Sequence, residues 1–448
     1  MAGMAGKTRK NRDMTAGQAG GEAAEADAAE AAGALSRRAL FRAGGGAAAA
    51  GLLVGAGGTA LGEALAASPA PTPLSALGAT AIPFHGARQA GITQPQQAHV
   101  HAAAFDLDTR AHPVGSAART AAAGLLRRWS ETAARLTAGE PATEDDDGSA
   151  LGSGPSSLTV TFGFGASLFT RTGLGARLPQ ALAPLPAFPG DALDPARSDG
   201  DLWVQICADD PMVAVHALRT LQRQAAGTAS VRWQMSGFST APGAAPAGAT
   251  PRNLMGMKDG TGNPRPDQPG FDRAVFVPAR PSGGQPEWMA NGSYAVFRRI
   301  RILLDDWDPL PVDRQERVIG RRKASGAPLS GGGEFTALDL DATGADGGYL
   351  IPSDAHVRVA APESNQGARM LRRGFSYHDG LRPDGAPDAG LLFIAFQADP
   401  ATGFVPVQRK LARGDALSRF LVHESSGLYA VPGGAAPGGY VGQALLES

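Results

Sequence analysis

Apolar and polar residues alternate along Ser157-Leu-Thr-Val-Thr-Phe-Gly-Phe-Gly165 and again along Leu202-Trp-Val-Gln-Ile-Cys207, the period of two that marks a strand. Between Ala214 and Gln224 the period lengthens, because Val215, Leu218 and Leu221 recur at helical spacing, and an amphipathic helix is predicted there. Further strands are predicted at Tyr294–Leu304, His356–Ala360 and Leu391–Phe396, and a helix around Asp415–His423. The run of Ala, Pro and Gly from Ala241 to Thr250 breaks the pattern. It reads as a linker between an N-terminal region, residues 82–240, and a C-terminal one, residues 251–448. A Gly/Ser/Pro segment from Thr137 to Ser157 carries Glu144-Asp145-Asp146-Asp147, read as a solvated loop, with a calcium site as the alternative.

Before residue 82 the pattern is different. Residues 1–35, rich in Ala, Gly and Glu, show no periodicity and read as a disordered extension. Residues 36–67 hold Ser36-Arg37-Arg38-Ala39-Leu40-Phe41, a weakly apolar stretch from Ala43 to Leu61, and Ala64-Leu65-Ala66. Paired arginines, a modest apolar core and small residues at A-x-A spacing make a cleavable twin-arginine export signal, with a retained membrane anchor as the alternative. Export would bring the chain to the twin-arginine translocase and then to a periplasmic or extracellular space.

At 448 residues, 43% apolar and 19% charged, the chain has a soluble globular composition. A formal net charge of -1 supplies no basic field for nucleic acid or acidic membrane. The single cysteine, Cys207, excludes an intrachain disulfide and any multi-cysteine metal site, and reads as a small buried hydrophobe.

Three blocks carry candidate chemistry. In Asn253-Leu-Met-Gly256-Met-Lys-Asp259-Gly260-Thr261-Gly262-Asn263-Pro264, glycines bracket Asp259 at tight-turn spacing. Such a turn can bring backbone close to a flat ligand and aim one carboxylate at it, or can be an Asx-turn in a surface loop. In Ile351-Pro-Ser-Asp-Ala-His356-Val-Arg358-Val-Ala-Ala361-Pro362, His356 is either a structural histidine or a ligand. In Met370-Leu-Arg372-Arg373-Gly-Phe375, alternation points the two arginines to opposite faces, so one of them can share a site with Asp259. Asp415 can be a helix N-cap.

These strings resemble the dye-decolorising peroxidases, whose signature Gly-x-x-Asp-Gly lies inside Arg-Asn-Leu-Met-Gly-x-Lys-Asp-Gly-Thr-x-Asn-Pro. The resemblance runs from Ile82 to Leu446, through Gln89-Ala-Gly-Ile92, Trp233-Gln-Met-Ser-Gly-Phe238, Gly320-Arg-Arg-Lys323 and Phe404-Val-Pro-Val-Gln408. It implies an α+β fold of two ferredoxin-like domains with antiparallel sheets, and one haem b per chain in the second domain. His356 is then the iron ligand and Asp415 the acceptor for its other ring nitrogen. Asp259 is the distal acid/base residue, and Gly260, Thr261, Gly262 and Ala361 lie against the cofactor. Arg372 or Arg373 is the distal cation, with Arg373 favoured and its neighbour left to a haem propionate.

The implied activity is reduction of hydrogen peroxide with oxidation of an organic reductant, dye-like or phenolic. Because an aspartate ionises near ~3.9, proton shuttling by that side chain should favour acid. A bulky donor cannot enter a site under a tight loop, so Trp288, Tyr294, Trp307, Tyr377 and Tyr429 are candidate surface relays. Within the family the strings look most like the exported deferrochelatase/peroxidases of bacterial iron uptake. They imply an alternative in which iron is released from haem, contact with iron-uptake proteins, and a homo-oligomer.

Overall fold

The computed structural model describes residues 75–448, so the segments read as a disordered extension and an export signal lie outside the described residues. Among the described residues nine strands form one antiparallel sheet: β1 His99–Leu107, β2 Thr159–Phe164, β3 Leu202–Ala208, β4 Ala229–Phe238, β5 Ser293–Ile302, β6 Leu371–Arg372, β7 Phe375–Leu381, β8 Pro387–Gln397 and β9 Leu421–Val431. The strands run in the order β5-β9-β2-β3-β1-β4-β7-β8-β6, and β5 pairs with β8 as well, so the sheet closes on itself.

The order contains a repeat. The N-terminal half reads β4-β1-β3-β2, and the C-terminal half reads β9-β5-β8-β7, the same fourth-first-third-second order. These are two ferredoxin-like units with antiparallel sheets. Within each half the ladders are long, whereas the halves join through single register pairs, Phe238↔Ser376 and Phe164↔Ala430.

Side-chain alternation divides the apolar residues of these strands between two cores. Ala295 and Phe297 of β5 pack with Tyr377, Leu392, Ile394 and Tyr429, while Tyr294 and Val296 pack with the helix-covered face. The predicted helix is longer than its periodic stretch, Pro211–Ala225, because the Asp210 carboxylate accepts from the Met212 and Val213 amides and Pro211 occupies the first helical position. A 22-residue helix, Ser116–Thr137, was not foreseen. Its buried face mixes Leu125, Leu126, Trp129 and Leu136 with alanines and with polar Ser130, Thr132 and Thr137, which contrasts too little with the exposed face.

Two expected elements are corrected. His356–Ala360 is a short helix, not a strand. The Val-Arg-Val alternation there is too short to set a period, and no residue of the five is buried. The helix predicted around Asp415–His423 splits into a 3-10 turn, Ala416–Phe420, and the start of β9, whose pairing with β5 takes the chain from Leu421 onward. In the acidic loop two of the carboxylates accept from protein donors: Asp146 from Ala142, Gly148 and His216, Asp147 from Ser149 and Arg223. Asp146, Asp147 and His216 also bring one ligand atom each within 4.8 Å of one another.

Candidate functional site

The glycine-bracketed turn forms as its spacing predicts. Gly256 has φ +73° and Gly260 φ +123°, values that side-chain-bearing residues rarely adopt, and a Cβ on Gly256 would lie 2.7 Å from Lys323 Cε. The Asx role in this loop belongs to Asn253, whose Oδ1 accepts from the Met255 and Met257 amides. The Asp259 carboxylate is thereby left to face Arg372 Nη1 at 3.5 Å, with Asn253 Nδ2 at 3.5 Å on its other oxygen. Both partners of the Asp259–Arg372 pair keep about a quarter to a third of their side chains uncovered, 26% and 31%.

Arg373 is not the arginine that meets Asp259. It is 4% exposed, and its guanidinium donates to Gln94 O and, at 2.7 Å, to Gln97 Oε1, on the opposite side of the strand. Burial lowers its pKa, and the Cys207 thiol beside it is pushed up to about 11, again by burial. The preference for Arg373 is therefore corrected to Arg372. Alternation separated the pair as expected, but only the packing of the N-terminal half against Arg373 fixed which face was which.

His356 opens its short helix, and its Nδ1 donates to Asp415 Oδ2 at 2.7 Å. The other carboxylate oxygen, Oδ1, accepts from the Leu417 amide at 2.9 Å. Asp415 thus caps the Ala416–Phe420 turn and holds the imidazole at once, so the two readings of it are one arrangement. Burial presses the imidazole pKa down, but the charge and hydrogen bond of Asp415 outweigh it and the net shift is upward. Arg372 and Asp259 also act on the ring, one lowering and one raising it, which places all three side chains in a single electrostatic neighbourhood.

With Nδ1 engaged, Nε2 is the ring nitrogen left for a ligand, the usual division for a metal-binding histidine. The His356 side chain is 27% exposed whereas Asp415 is 2% exposed, so the ring opens toward free space and its support does not. Val357, Leu371, Phe393 and Leu411 are only partly covered although each packs on a core. Half-covered apolar side chains on the elements around an available imidazole nitrogen suit a large flat ligand.

The remaining expected contacts divide. A Cβ on Gly262 would meet nothing within 4 Å, which leaves room above that backbone. Gly260 sits in the same turn, but the Thr261 hydroxyl is turned to Glu334 Oε1 at 3.1 Å. Ala361 is 3% exposed, and its carbonyl accepts from Asn365, so it closes the helix instead of facing the open cluster. The proposed surface relays Trp288, Tyr294, Trp307, Tyr377 and Tyr429 are all buried, and among the described residues Tyr349, 51% exposed, is the exposed Trp or Tyr. Sequence reasoning also passed over Asn263, whose amide bonds the backbone of Arg372.

Known proteins are similar to this chain over most of its length. Two family models match in succession, Dyp-type peroxidase, N-terminal, over residues 89–239 and Dyp-type peroxidase, C-terminal, over residues 250–436. A dye-decolorizing peroxidase of Thermobifida fusca is 48% identical over 92% of this chain and 97% of that protein. A deferrochelatase of Yersinia pestis is 37% identical over 82% and 85%. The solved structure of ferric DtpA from Streptomyces lividans, 59% identical, superposes with a TM-score of 0.80, covering 84% of this chain and all of that one.

Proposed function

This chain belongs to the Dyp-type peroxidase family and is a haem peroxidase, and from that premise we propose that His356, Asp415, Asp259 and Arg372 are its working residues. The observation that carries the assignment is the placing of an Asp415-oriented imidazole in the electrostatic neighbourhood of a half-open Asp259–Arg372 pair. Haem b, when bound, would supply an iron that can react with peroxide and a store of oxidising equivalents.

His356 Nε2 would hold the iron. Asp415 fixes the tautomer and ring plane, and its charge makes the imidazole a stronger donor. Asp259 takes the proton of hydrogen peroxide on a carboxylate oxygen and returns it to the outer oxygen as water departs. Arg372 faces the charge that develops on that oxygen, a contribution of about 3 kcal/mol when a positioned donor is lost. The organic reductant is of the dye-like or phenolic class, and the name of the Thermobifida fusca relative, a dye-decolorizing peroxidase, supports the first of these. The Ser36–Phe41 segment directs export through the twin-arginine route to a periplasmic or extracellular space.

The test is an absorption spectrum of the haem-loaded protein before and after one equivalent of peroxide. The Soret band should shift, and an unmoved band would reject the peroxidase site. Asp415→Asn should weaken haem affinity or the peroxide reaction by about 10- to 100-fold, as for other lost partners of a metal-bound histidine. Release of iron from haem is the alternative activity. Metal-free porphyrin after anaerobic incubation with excess haem, without peroxide turnover, would favour it.

Acid should serve the reaction and erode the fold. Burial, with His99 nearby, holds His101 down to about 4, and burial, with Arg298 nearby, holds His423 down to about 3. Unfolding frees both rings to protonate below their ordinary pKa of ~6.5, so the unfolded chain binds more protons and stability falls as pH drops below that value. The slope approaches about 1.4 kcal/mol per pH unit for each ring. Urea midpoints should therefore decline from pH 7 to pH 5, and a flat profile would show that the two rings are not held neutral.

A further inference from the structure

The strand that presents Arg372 is only two residues long, Leu371–Arg372, so its own ladder to β8 can do little to fix it. Other contacts hold it. On one side the Asn263 amide makes a reciprocal pair with the Arg372 backbone: Asn263 Nδ2 donates to Arg372 O at 2.7 Å, and Arg372 N donates to Asn263 Oδ1 at 3.1 Å. Asn263 lies four residues beyond Asp259, in a turn where its own amide donates to Gly260 O at 2.9 Å. The loop that carries the carboxylate is therefore bonded, through one side chain, to the backbone of the arginine the carboxylate faces.

On the other side the N-terminal half takes hold of the next two residues. Arg373 donates to Gln94 O and to Gln97 Oε1, and Gln96 Nε2 donates to Gly374 O at 2.5 Å. Gln97 is itself anchored, its Nε2 donating to Ser157 O and Thr159 Oγ1 at the start of β2. A guanidinium buried without a carboxylate partner is a demanding thing to keep, since burial opposes its charge. Here it fastens the segment before β1 to the end of β6.

We propose that Asn263 and Arg373 are positioning residues that clamp the Arg372 backbone from two sides and so set the separation of Asp259 and Arg372. The proposal rests on the assignment of Asp259 and Arg372 to the peroxide reaction. A displacement of about 1 Å at a reacting group can lower a rate by about 100-fold, so a clamp on the backbone is as consequential as the side chain it aims. It also gives the N-terminal half, which supplies none of the four working residues, a part in the chemistry.

The test is a double-mutant cycle read by stopped-flow absorption of the haem-loaded protein mixed with hydrogen peroxide. Asn263→Ala and Arg373→Lys should each slow the second-order reaction by about 10- to 100-fold. A lysine ammonium cannot span both Gln94 and Gln97 as the planar fork does. In an Arg372→Ala background neither change should slow the reaction further, because there is no guanidinium left to position. A merely structural role would instead lower haem affinity and give losses that multiply with that of Arg372→Ala. Rates unaltered by Asn263→Ala and Arg373→Lys, or multiplying losses, would overturn the clamp. An unaltered rate in Arg372→Ala alone would strike the assignment of Arg372 instead. If Asn263→Ala fails to take up haem, Arg373→Lys decides.

Discussion

Replacing Asp259 by Ala should slow the reaction of the haem-loaded protein with hydrogen peroxide by about 10²- to 10⁴-fold, the range for removal of a positioned acid/base group. Haem should remain bound, because the carboxylate faces Arg372 and Asn253 and makes no bond to His356. Backbone strain should change little, since the positive φ angles of the turn belong to Gly256 and Gly260 and its Asx bonds to Asn253. Stopped-flow absorption at the Soret band checks the rate, and the spectrum of the resting variant checks occupancy. A rate equal to that of the unaltered protein would remove Asp259 from proton transfer and leave Arg372 as the sole actor on that side.

His356→Ala should have the largest effect on cofactor retention. The imidazole is the one protein ligand assigned to the iron, so haem affinity should fall by more than the 10- to 100-fold typical of a lost outer partner. The Asp415 Oδ2 atom would then be left without its donor, while Oδ1 keeps the Leu417 amide. The Ala416–Phe420 turn should therefore survive. Gel filtration after haem loading, with absorbance followed at the Soret band and at 280 nm, gives the retained fraction. Added imidazole should restore part of the spectrum by entering the emptied space. A variant that keeps a normal five-coordinate spectrum without added imidazole would falsify the ligand assignment.

The chemistry-bearing residue types were legible because each sits in a local string that its chemistry constrains. A turn bracketed by Gly256 and Gly260 requires residues without a Cβ, and such a turn leaves one carboxylate exposed. The cap formed by Asp415 was readable in the same way. The element around His356 was misread, since Val-Arg-Val looks like a strand when only five residues are considered. The aromatic relays failed for a related reason. Type and number say nothing about depth, and Tyr377 and Tyr429 face the interior of the closed sheet while Tyr349 faces water.

By itself the sequence determined where several strands and one helix lie, through periodicities of a few residues, and which histidine and carboxylates were candidates; the α+β fold class and the haem site came with the resemblance to the dye-decolorising peroxidases. Tertiary structure decided the pairings. Asp259 meets Arg372 across 113 residues, His356 meets Asp415 across 59, and Arg373 reaches Gln97 across 276. Alternation can say that two adjacent arginines diverge, but the face each one meets is set by strands and loops distant in the chain. Closure of the sheet through β5 and β8 brings those segments together, and no local pattern encodes it.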